Sequence, residues 1–320
     1  MRYHVIFNPK SGTSLSLGLT SEALTQAFAD TRLQADVDGG DDDLSIKLDR
    51  ALASKADIII SAGGDGTATA IAERLVGTNK CLAVLPLGTA NLLARDLAVP
   101  LALETAIGSL AQMRPLEIDV GEVNGRVFLH KVVVGVVPSI AAARERVRGE
   151  SAWKLLGFAR YFVRRLHHAR RTAVSITSRD TDDRIERIHA IAVANNAYDQ
   201  GWGKVFCRSC LNAGSLTLYV LRRLTFGDAV RLGMKMVAGT WQDDAAITIE
   251  TVRSVTLNSK RGRISVMIDG EVGILETPLK FRIRPKALRV LAPVAENPTV
   301  DDKEATNEDR SSLGPALRAS

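Results

Sequence analysis

Short apolar runs alternate with helical periodicities over the first 120 residues, and each run ends in small or polar residues where a strand would hand over to a helix. Tyr3 to Phe7 leads into Asn8-Pro9-Lys10-Ser11-Gly12, with a helical stretch from about Ser21 to Ala29. Asp57 to Ala62 leads into Gly63-Gly64-Asp65-Gly66-Thr67 and the helix-like TATAIAERLVG. Cys81 to Leu85 leads into Pro86-Leu87-Gly88-Thr89-Ala90-Asn91 and then LLARDL. Runs without polar alternation suit parallel strands covered on both faces, so a doubly wound α/β layer is predicted, with ligands expected at the loops leaving its strands.

The texture changes after about Glu122. Val- and Thr-rich segments at 127–137, 172–178, 188–194, 215–221, 246–257 and 264–268 are bounded by Gly, Asn or charged turns and predict a largely antiparallel β domain. Two helical stretches interrupt it, near 152–171 and at 226–238, the second preceded by Thr225 with Asp228 in position to form an N-terminal cap. The strand-like LRVLAP at 288–293 is expected to return to the first domain. The expected organisation is an α/β nucleotide-binding domain over 1–122, to which 281–294 returns, a β domain over 123–280, and a disordered tail from 295 to 320.

Composition narrows the classes. Three hundred and twenty residues, 46% apolar and 24% charged, describe a globular chain of about two domains. Lys and Arg exceed Asp and Glu by 42 to 36, and residues 296–320 hold six acids against three bases, which leaves +9 on the body. That surplus favours anionic partners. Three cysteines at no framework spacing predict no disulfide scaffold and a reducing compartment. Neither a secretory signal nor a spanning helix is predicted, because the longest apolar run, 132–143, is short and interrupted by Pro138.

The candidate chemistry lies in the glycine turns. Gly63-Gly64-Asp65-Gly66-Thr67 stands between an apolar strand and a helix, where residues without Cβ let backbone N–H groups approach phosphate and the helix N-terminus adds positive potential. Asp65 repels phosphate, so its use there points to Mg²⁺ or to proton transfer, with a capped tight turn as the plainer alternative. Three polar glycine loops should meet at one sheet edge. No GxxxxGK[ST] run, no GxGxxG after a strand and no protein-kinase HRD or DFG set occurs, which excludes those phosphate-binding classes.

These residues resemble the diacylglycerol kinase catalytic-domain superfamily of lipid kinases, specifically its bacterial diacylglycerol kinase B and YegS-like branch. The resemblance rests on NPKSG at 8–12, SAGGDGTATAIAERL at 61–75, LPLGTANLLARDL at 85–97, IDVGEVNG at 118–125, IDGE at 268–271 and PKALRVLAP at 285–293. It implies ATP-dependent phosphorylation of a lipid hydroxyl with Mg²⁺, in a cleft between an NAD kinase-like α/β domain and a β-sandwich. Candidate nucleotide contacts are Asn8, Ser11, Gly63, Gly64, Gly66, Thr67, Gly88, Thr89 and Asn91. By the same resemblance Asp65 organises the metal and phosphate region, and Glu271, in Asp269-Gly270-Glu271 after a strand-like run, is the general base. Asp119 matches the family's domain junction, with a turn role and a metal role equally open.

The chain departs from the family at Leu211-Asn212-Ala213-Gly214-Ser215, where an acidic pair usually stands near a structural Mg²⁺, so that accessory site is expected to be absent. His130 stands where a small polar residue is expected. Cys207-Arg208-Ser209-Cys210 lacks a second metal-binding pair and reads as incidental, and His167-His168 as surface. The segment 153–171 holds six Lys or Arg and no acid with apolar residues near helical spacing, suited either to packing on the β domain or to docking on anionic lipid. The expected protein is cytoplasmic and peripheral at the inner membrane face, binding a lipid substrate and no nucleic acid, with a homodimer left open. The alternatives are a soluble small-molecule kinase of the NAD kinase type and a non-catalytic lipid- or nucleotide-binding regulator.

Overall fold

The computed structural model describes residues 1–135, 171–178, 180, 183–202 and 206–294. The expected helix at 152–171, Arg171 excepted, and the expected tail from 295 lie outside the described residues.

Strands β1 (Tyr3–Phe7), β2 (Ala35–Asp38), β3 (Ile58–Gly63) and β4 (Cys81–Pro86) pair in parallel in the order β2-β1-β3-β4. Every residue of β1, β3 and β4 is buried, which is why these runs show no polar alternation. Helices α1 (Gly12–Leu17), α2 (Ser21–Asp30), α3 (Leu44–Ala53) and α4 (Asp65–Leu75) connect them, and α5 (Leu92–Asp96) and α6 (Leu103–Ser109) follow β4. Phe7, Phe28, Ile60 and Ile71 are fully buried in the shared core, each contributing about 1.5–3 kcal/mol by leaving water. Strand β2 and helix α3 are absent from the sequence expectation, because β2 is a four-residue edge strand with two aspartates and reads as a loop.

The strand order reverses between β1 and β3. Open α/β sheets bind ligands at such a reversal, outside the carboxyl ends of the strands. Asn8 follows β1 there and Gly63 ends β3, and Asn8 N–H donates to Ala62 O at 2.9 Å.

The second half forms a β-sandwich. One sheet is antiparallel in the order β12-β11-β10-β7-β14-β15. Its strands are β7 (Lys131–Gly135), β10 (Ala190–Asn195), β11 (Leu216–Leu221), β12 (Ile247–Val252), β14 (Arg263–Ile268) and β15 (Glu271–Glu276). The facing layer holds β5 (Arg114–Val123), β6 (Arg126–Phe128), β8 (Thr172–Ser178), β9 (Arg184–Ile188), β13 (Ser254–Asn258) and the first part of β16 (Leu279–Ala292). Phe128, Val132, Val193, Leu218, Val266 and Phe281 fill the space between the layers.

The Val- and Thr-rich segment at 246–257 forms two strands. β12 joins one sheet and β13 the other, and the chain changes layer at Arg253, whose N–H donates to Asp180 Oδ2 at 2.8 Å. Strand β16 crosses between the domains. Its start pairs with β13, its end pairs in parallel with β4 at Val290 and Leu82, and β5 follows it antiparallel, with a bulge between Arg284 and Leu288. Helix α7 (Phe226–Ala238) covers the outer face of the six-stranded sheet, its Leu232 clustering with Tyr198, Tyr219 and Trp241. Thr225 and Asp228 form the capping box that their spacing predicts, worth about 1 kcal/mol.

Candidate active site

The three glycine loops meet at the carboxyl ends of β1, β3 and β4. Asn8 Nδ2 donates to Thr67 Oγ1 at 3.2 Å, joining the first loop to the second. Thr13 donates its N–H to Leu87 O at 3.1 Å and its hydroxyl to Gly88 O at 2.8 Å, joining the first to the third. Gly64 and Gly88 meet backbone to backbone, and a Cβ at Gly88 would stand 2.7 Å from the Gly64 Cα. A Cβ at Gly63 would stand 2.8 Å from Thr67 Oγ1. Gly63 and Gly88 are therefore demanded by loop packing, apart from any ligand.

Some expected nucleotide-contacting side chains are engaged by protein groups. Ser11 is buried with its hydroxyl 2.7 Å from that of Ser14. Asn91, at positive φ, accepts from Gly88 N at 2.8 Å and donates to Pro86 O and Gly88 O, so its amide braces its own loop. Thr89 is exposed at the tip of that loop.

Asp65, expected to organise the metal and phosphate region, is engaged by a backbone amide of the third loop. Its Oδ1 accepts from Leu92 N at 2.7 Å, so it caps α5 and ties the second loop to the third. Burial pushes its pKa up, and the first amides of α5 oppose that rise. Among the described residues, no group of three or more His, Cys, Asp or Glu is arranged to hold a metal. Mg²⁺ usually keeps several waters and binds one or two carboxylates plus substrate phosphates, so this donor set fits a cation carried by a nucleotide rather than one caged by protein.

Glu271 comes to this edge from the other domain. β14 ends at Ile268 and β15 begins at Glu271, leaving Asp269 at φ 46° and Gly270 at φ 99° as the two turn residues. Two positive-φ residues match the twist of a tight hairpin, the reason Asp-Gly suits it. The turn is held from below. Asp269 accepts from the N–H groups of Leu129, His130 and Lys131 at 2.7–2.9 Å and from the Thr69 hydroxyl of α4 at 3.1 Å. Burial raises the Asp269 pKa, and these amides work against it. Glu271 then lies against Gly66, where an added Cβ would collide with Oε1.

Three phosphate-suited loops facing one carboxylate from a β-sandwich is the pattern on which comparison with known proteins turns. Residues 2–123 match the family model of the diacylglycerol kinase catalytic domain, and residues 131–292 match that of the YegS C-terminal NAD kinase beta sandwich-like domain. This chain belongs to the diacylglycerol kinase and YegS-like family of lipid kinases. It is 27% identical over 315 residues to the diacylglycerol kinase of Bacillus subtilis strain 168, covering 94% of this chain and 99% of that one. It is 30% identical over 276 residues to the Pseudomonas aeruginosa PAO1 protein named "Probable lipid kinase YegS-like", covering 84% and 87%. The crystal structure of a diacylglycerol kinase from Bacillus anthracis str. Sterne superposes with a TM-score of 0.64 at 20% identity over 93% of this chain and 98% of that one, a likeness of fold.

This lipid kinase holds its two domains together with buried polar groups. Asp119, in the junction, is fully buried and accepts from Gly214 N at 2.6 Å and Lys286 N at 2.9 Å. It thereby braces the 211–215 loop directly, the structural of the two roles open for it. Arg208, inside the Cys-x-x-Cys stretch, is 2% exposed and donates to Asp96 Oδ2 at 2.6 Å through Nη2, and through Nη1 to Leu129 O and Asn195 O. Asp96 belongs to α5, so this buried ion pair joins the two domains. His130 packs beside it, its pKa held well below the usual histidine range by burial, which keeps it neutral near pH 7. None of the three cysteines is joined in a disulfide, and Cys81 is buried and Cys210 exposed.

Thr13, Thr69, Asp96, Lys131 and Arg208 escape sequence reasoning. Each acts through partners at least 75 residues away or through rings on another element, which the local pattern around it does not reveal.

Proposed function

We propose that the chain transfers the terminal phosphoryl group of ATP to the hydroxyl of a lipid such as diacylglycerol. The observation that carries this reading is the juxtaposition of Glu271 with Gly66, which brings a carboxylate from the β-sandwich to the first turn of α4. Phosphoryl transfer asks little covalent chemistry of a protein and much positioning. The backbone amides of Gly63 to Gly66 and of Thr89 would hold the phosphates, helped by the positive end of α4. Glu271 would take the proton of the attacking hydroxyl, a role typically worth about 10²–10⁴ in rate. Asp65 and Glu271 are the carboxylates beside that space, and Mg²⁺ arriving with the nucleotide would neutralise charge developing on the phosphoryl oxygens.

A lipid acceptor requires contact with a membrane, and the proposed contact is peripheral. Among the described residues no helix is long and apolar enough to cross one. The outer side of α7 exposes Val230, Met234 and Val237 at helical spacing. Trp202, 83% exposed, follows Gly201, whose N–H donates to Gly239 O at the end of the same helix. An apolar stripe with an exposed tryptophan suits the headgroup boundary of a bilayer, and the basic stretch 153–171 would add attraction to anionic lipid.

Incubation with labelled ATP and Mg²⁺ tests the reading, offering in separate reactions a total lipid extract and NAD⁺. Label is expected in a chloroform-soluble product that mass spectrometry identifies as the phosphorylated lipid. Label in the NAD⁺ reaction alone would overturn the lipid assignment.

A further inference from the structure

The peptide joining Leu129 to His130 is held on both sides. Its carbonyl accepts from Arg208 Nη1 at 2.7 Å, and its N–H donates to Asp269 Oδ1 at 2.9 Å. Arg208 also grips Asp96 of α5, while the other Asp269 oxygen accepts from the Thr69 hydroxyl of α4 at 3.1 Å. Asp65, at the start of α4, accepts from Leu92 N at the start of α5. These bonds close a ring through both domains. It runs from α4 to α5 through Asp65, from α5 to the β-sandwich through Asp96 and Arg208, on to the Asp269 turn, and back to α4 through Thr69. Hydrogen bonds that share one peptide group polarise one another, so the Arg208 and Asp269 sides of the ring strengthen each other.

Glu271 stands beside the last joint of this ring without belonging to it. The side chain is exposed, and a cleft of about 290 Å³ opens next to it between α4 and the β14–β15 hairpin. Neighbours on that side do not confine the carboxylate, so its place depends on how the turn is anchored. Three anchors of Asp269, the N–H groups of Leu129, His130 and Lys131, fix the turn within the β-sandwich. The Lys131 side chain takes no part. Its ammonium lies on the opposite face of the sheet, 3.4 Å from the Phe206 ring centroid, where burial pushes its pKa down to about 8.

Thr69 alone of these donors belongs to α4. It follows Gly66 by three residues and so shares its face of the helix. Gly66 meets the Glu271 carboxylate, and Thr69 holds Asp269 two residues before it. The two contacts together set how far the carboxylate stands from the glycine loop.

We infer that Thr69 is a positioning residue for the transfer, whose bond to Asp269 fixes the β14–β15 turn on α4 and holds Glu271 where it meets the acceptor hydroxyl. This inference rests on the lipid-kinase reading above. On transfer, the hydroxyl oxygen forms the new P–O bond, the bond to the departing ADP oxygen breaks, and the hydroxyl proton passes to Glu271. Such geometry is demanding, and a misplacement of about 1 Å costs on the order of a hundredfold in rate.

The test uses the full chain with labelled ATP, Mg²⁺ and mixed micelles of neutral detergent and a total lipid extract. Thr69→Val keeps the shape without the hydroxyl. It is expected to lose at least about tenfold in kcat, with KM for ATP within about twofold of wild type. Its Tm should fall by no more than about 2–4 °C, the effect of one hydrogen bond in a chain of this size. Thr69→Ser returns the hydroxyl and should recover kcat to within about threefold of wild type. Adding Thr69→Val to Glu271→Gln should lower the residual kcat by less than about threefold, because groups that act through one another are not additive. A wild-type kcat in Thr69→Val, a Thr69→Ser protein no better than Thr69→Val, or an equal loss with and without the Glu271 carboxylate would overturn this inference and leave the kinase reading intact. Absence of transfer to any lipid by the wild type would overturn both.

Discussion

The carboxylate of Glu271 rests on Gly66 at the start of α4, where an added Cβ would meet its Oε1. Gly66 needs no unusual backbone there, because its φ is not positive. Alanine at this helical position should therefore keep stability or raise it by up to about 1 kcal/mol. The new methyl would push Glu271, the movable end of a side chain, away from the loop. Gly66→Ala is expected to melt at the same temperature or higher while losing at least about tenfold in kcat. Calorimetry alongside lipid-kinase assays would check both halves.

Asp65 links two loops through the N-terminus of α5. Asp65→Ala removes that cap and should cost about 1 kcal/mol of stability in addition to its effect on transfer. Asp65→Asn keeps an oxygen for Leu92 and should recover most of the stability without the charge. Urea unfolding of the two variants, set against their activities, separates the capping role from a role in charge.

The arrangement of glycine loops was legible in the chain because apolar runs followed by Gly-rich turns leave few folds open. The hairpin carrying Glu271 was legible for the same kind of reason, since Asp-Gly after a strand calls for a two-residue turn. Its target was not, because Gly66 and Glu271 are 205 positions apart and contacts between the domains, among them the crossing of β16, bring them together. Arg208 was hidden by its setting in an incidental Cys-x-x-Cys pattern, and a buried arginine cannot be told from an exposed one by spacing. Asn91 and Ser11 carry suitable polar groups, but whether such a group faces a ligand or a neighbouring loop is decided by tertiary packing.

Lys131 should lower stability at neutral pH. Its pKa of about 8 in the fold lies below the ordinary value of 10.5, so the unfolded chain binds the extra proton between those values. The Lys131 contribution to stability therefore rises with pH from about 8 to about 10.5. Lys131→Met should be more stable than wild type at pH 7 by roughly 1–3 kcal/mol, the difference shrinking as pH approaches 10. Chemical denaturation at pH 7 and pH 10 would measure it, and equal stability at pH 7 would contradict it.

Glu186 works in the opposite direction. Side-chain bonds from Arg222 and Arg184 hold its pKa down to about 2, from an ordinary value of 4.5. Its contribution is present above pH 4.5 and is lost as pH falls toward 2. Glu186→Gln should lower stability at pH 7 by about 1–2 kcal/mol, discounted for the exposure of Arg222, and should flatten the acid limb of the stability curve. Urea midpoints at pH 7 and pH 3 for the two proteins supply the comparison.

The Arg208–Asp96 pair tests the joint between the domains. Arg208→Met leaves the Asp96 carboxylate buried without its cation and should cost about 3–5 kcal/mol. Adding Asp96→Leu should restore much of the loss, because the buried charge goes with its partner. A double variant no more stable than the single one would show that the guanidinium matters for its bonds to Leu129 O and Asn195 O instead.

Transfer of the γ-phosphoryl group from labelled ATP to a lipid extract, compared between wild type and Glu271→Gln with ATP affinity measured in parallel, bears most directly on the central claim. The expected result is a loss of about a hundredfold or more in transfer with ATP binding within a factor of two or three. A Glu271→Gln protein that phosphorylates lipid at the wild-type rate would show that this carboxylate, for all its closeness to the glycine loop, takes no part in the chemistry.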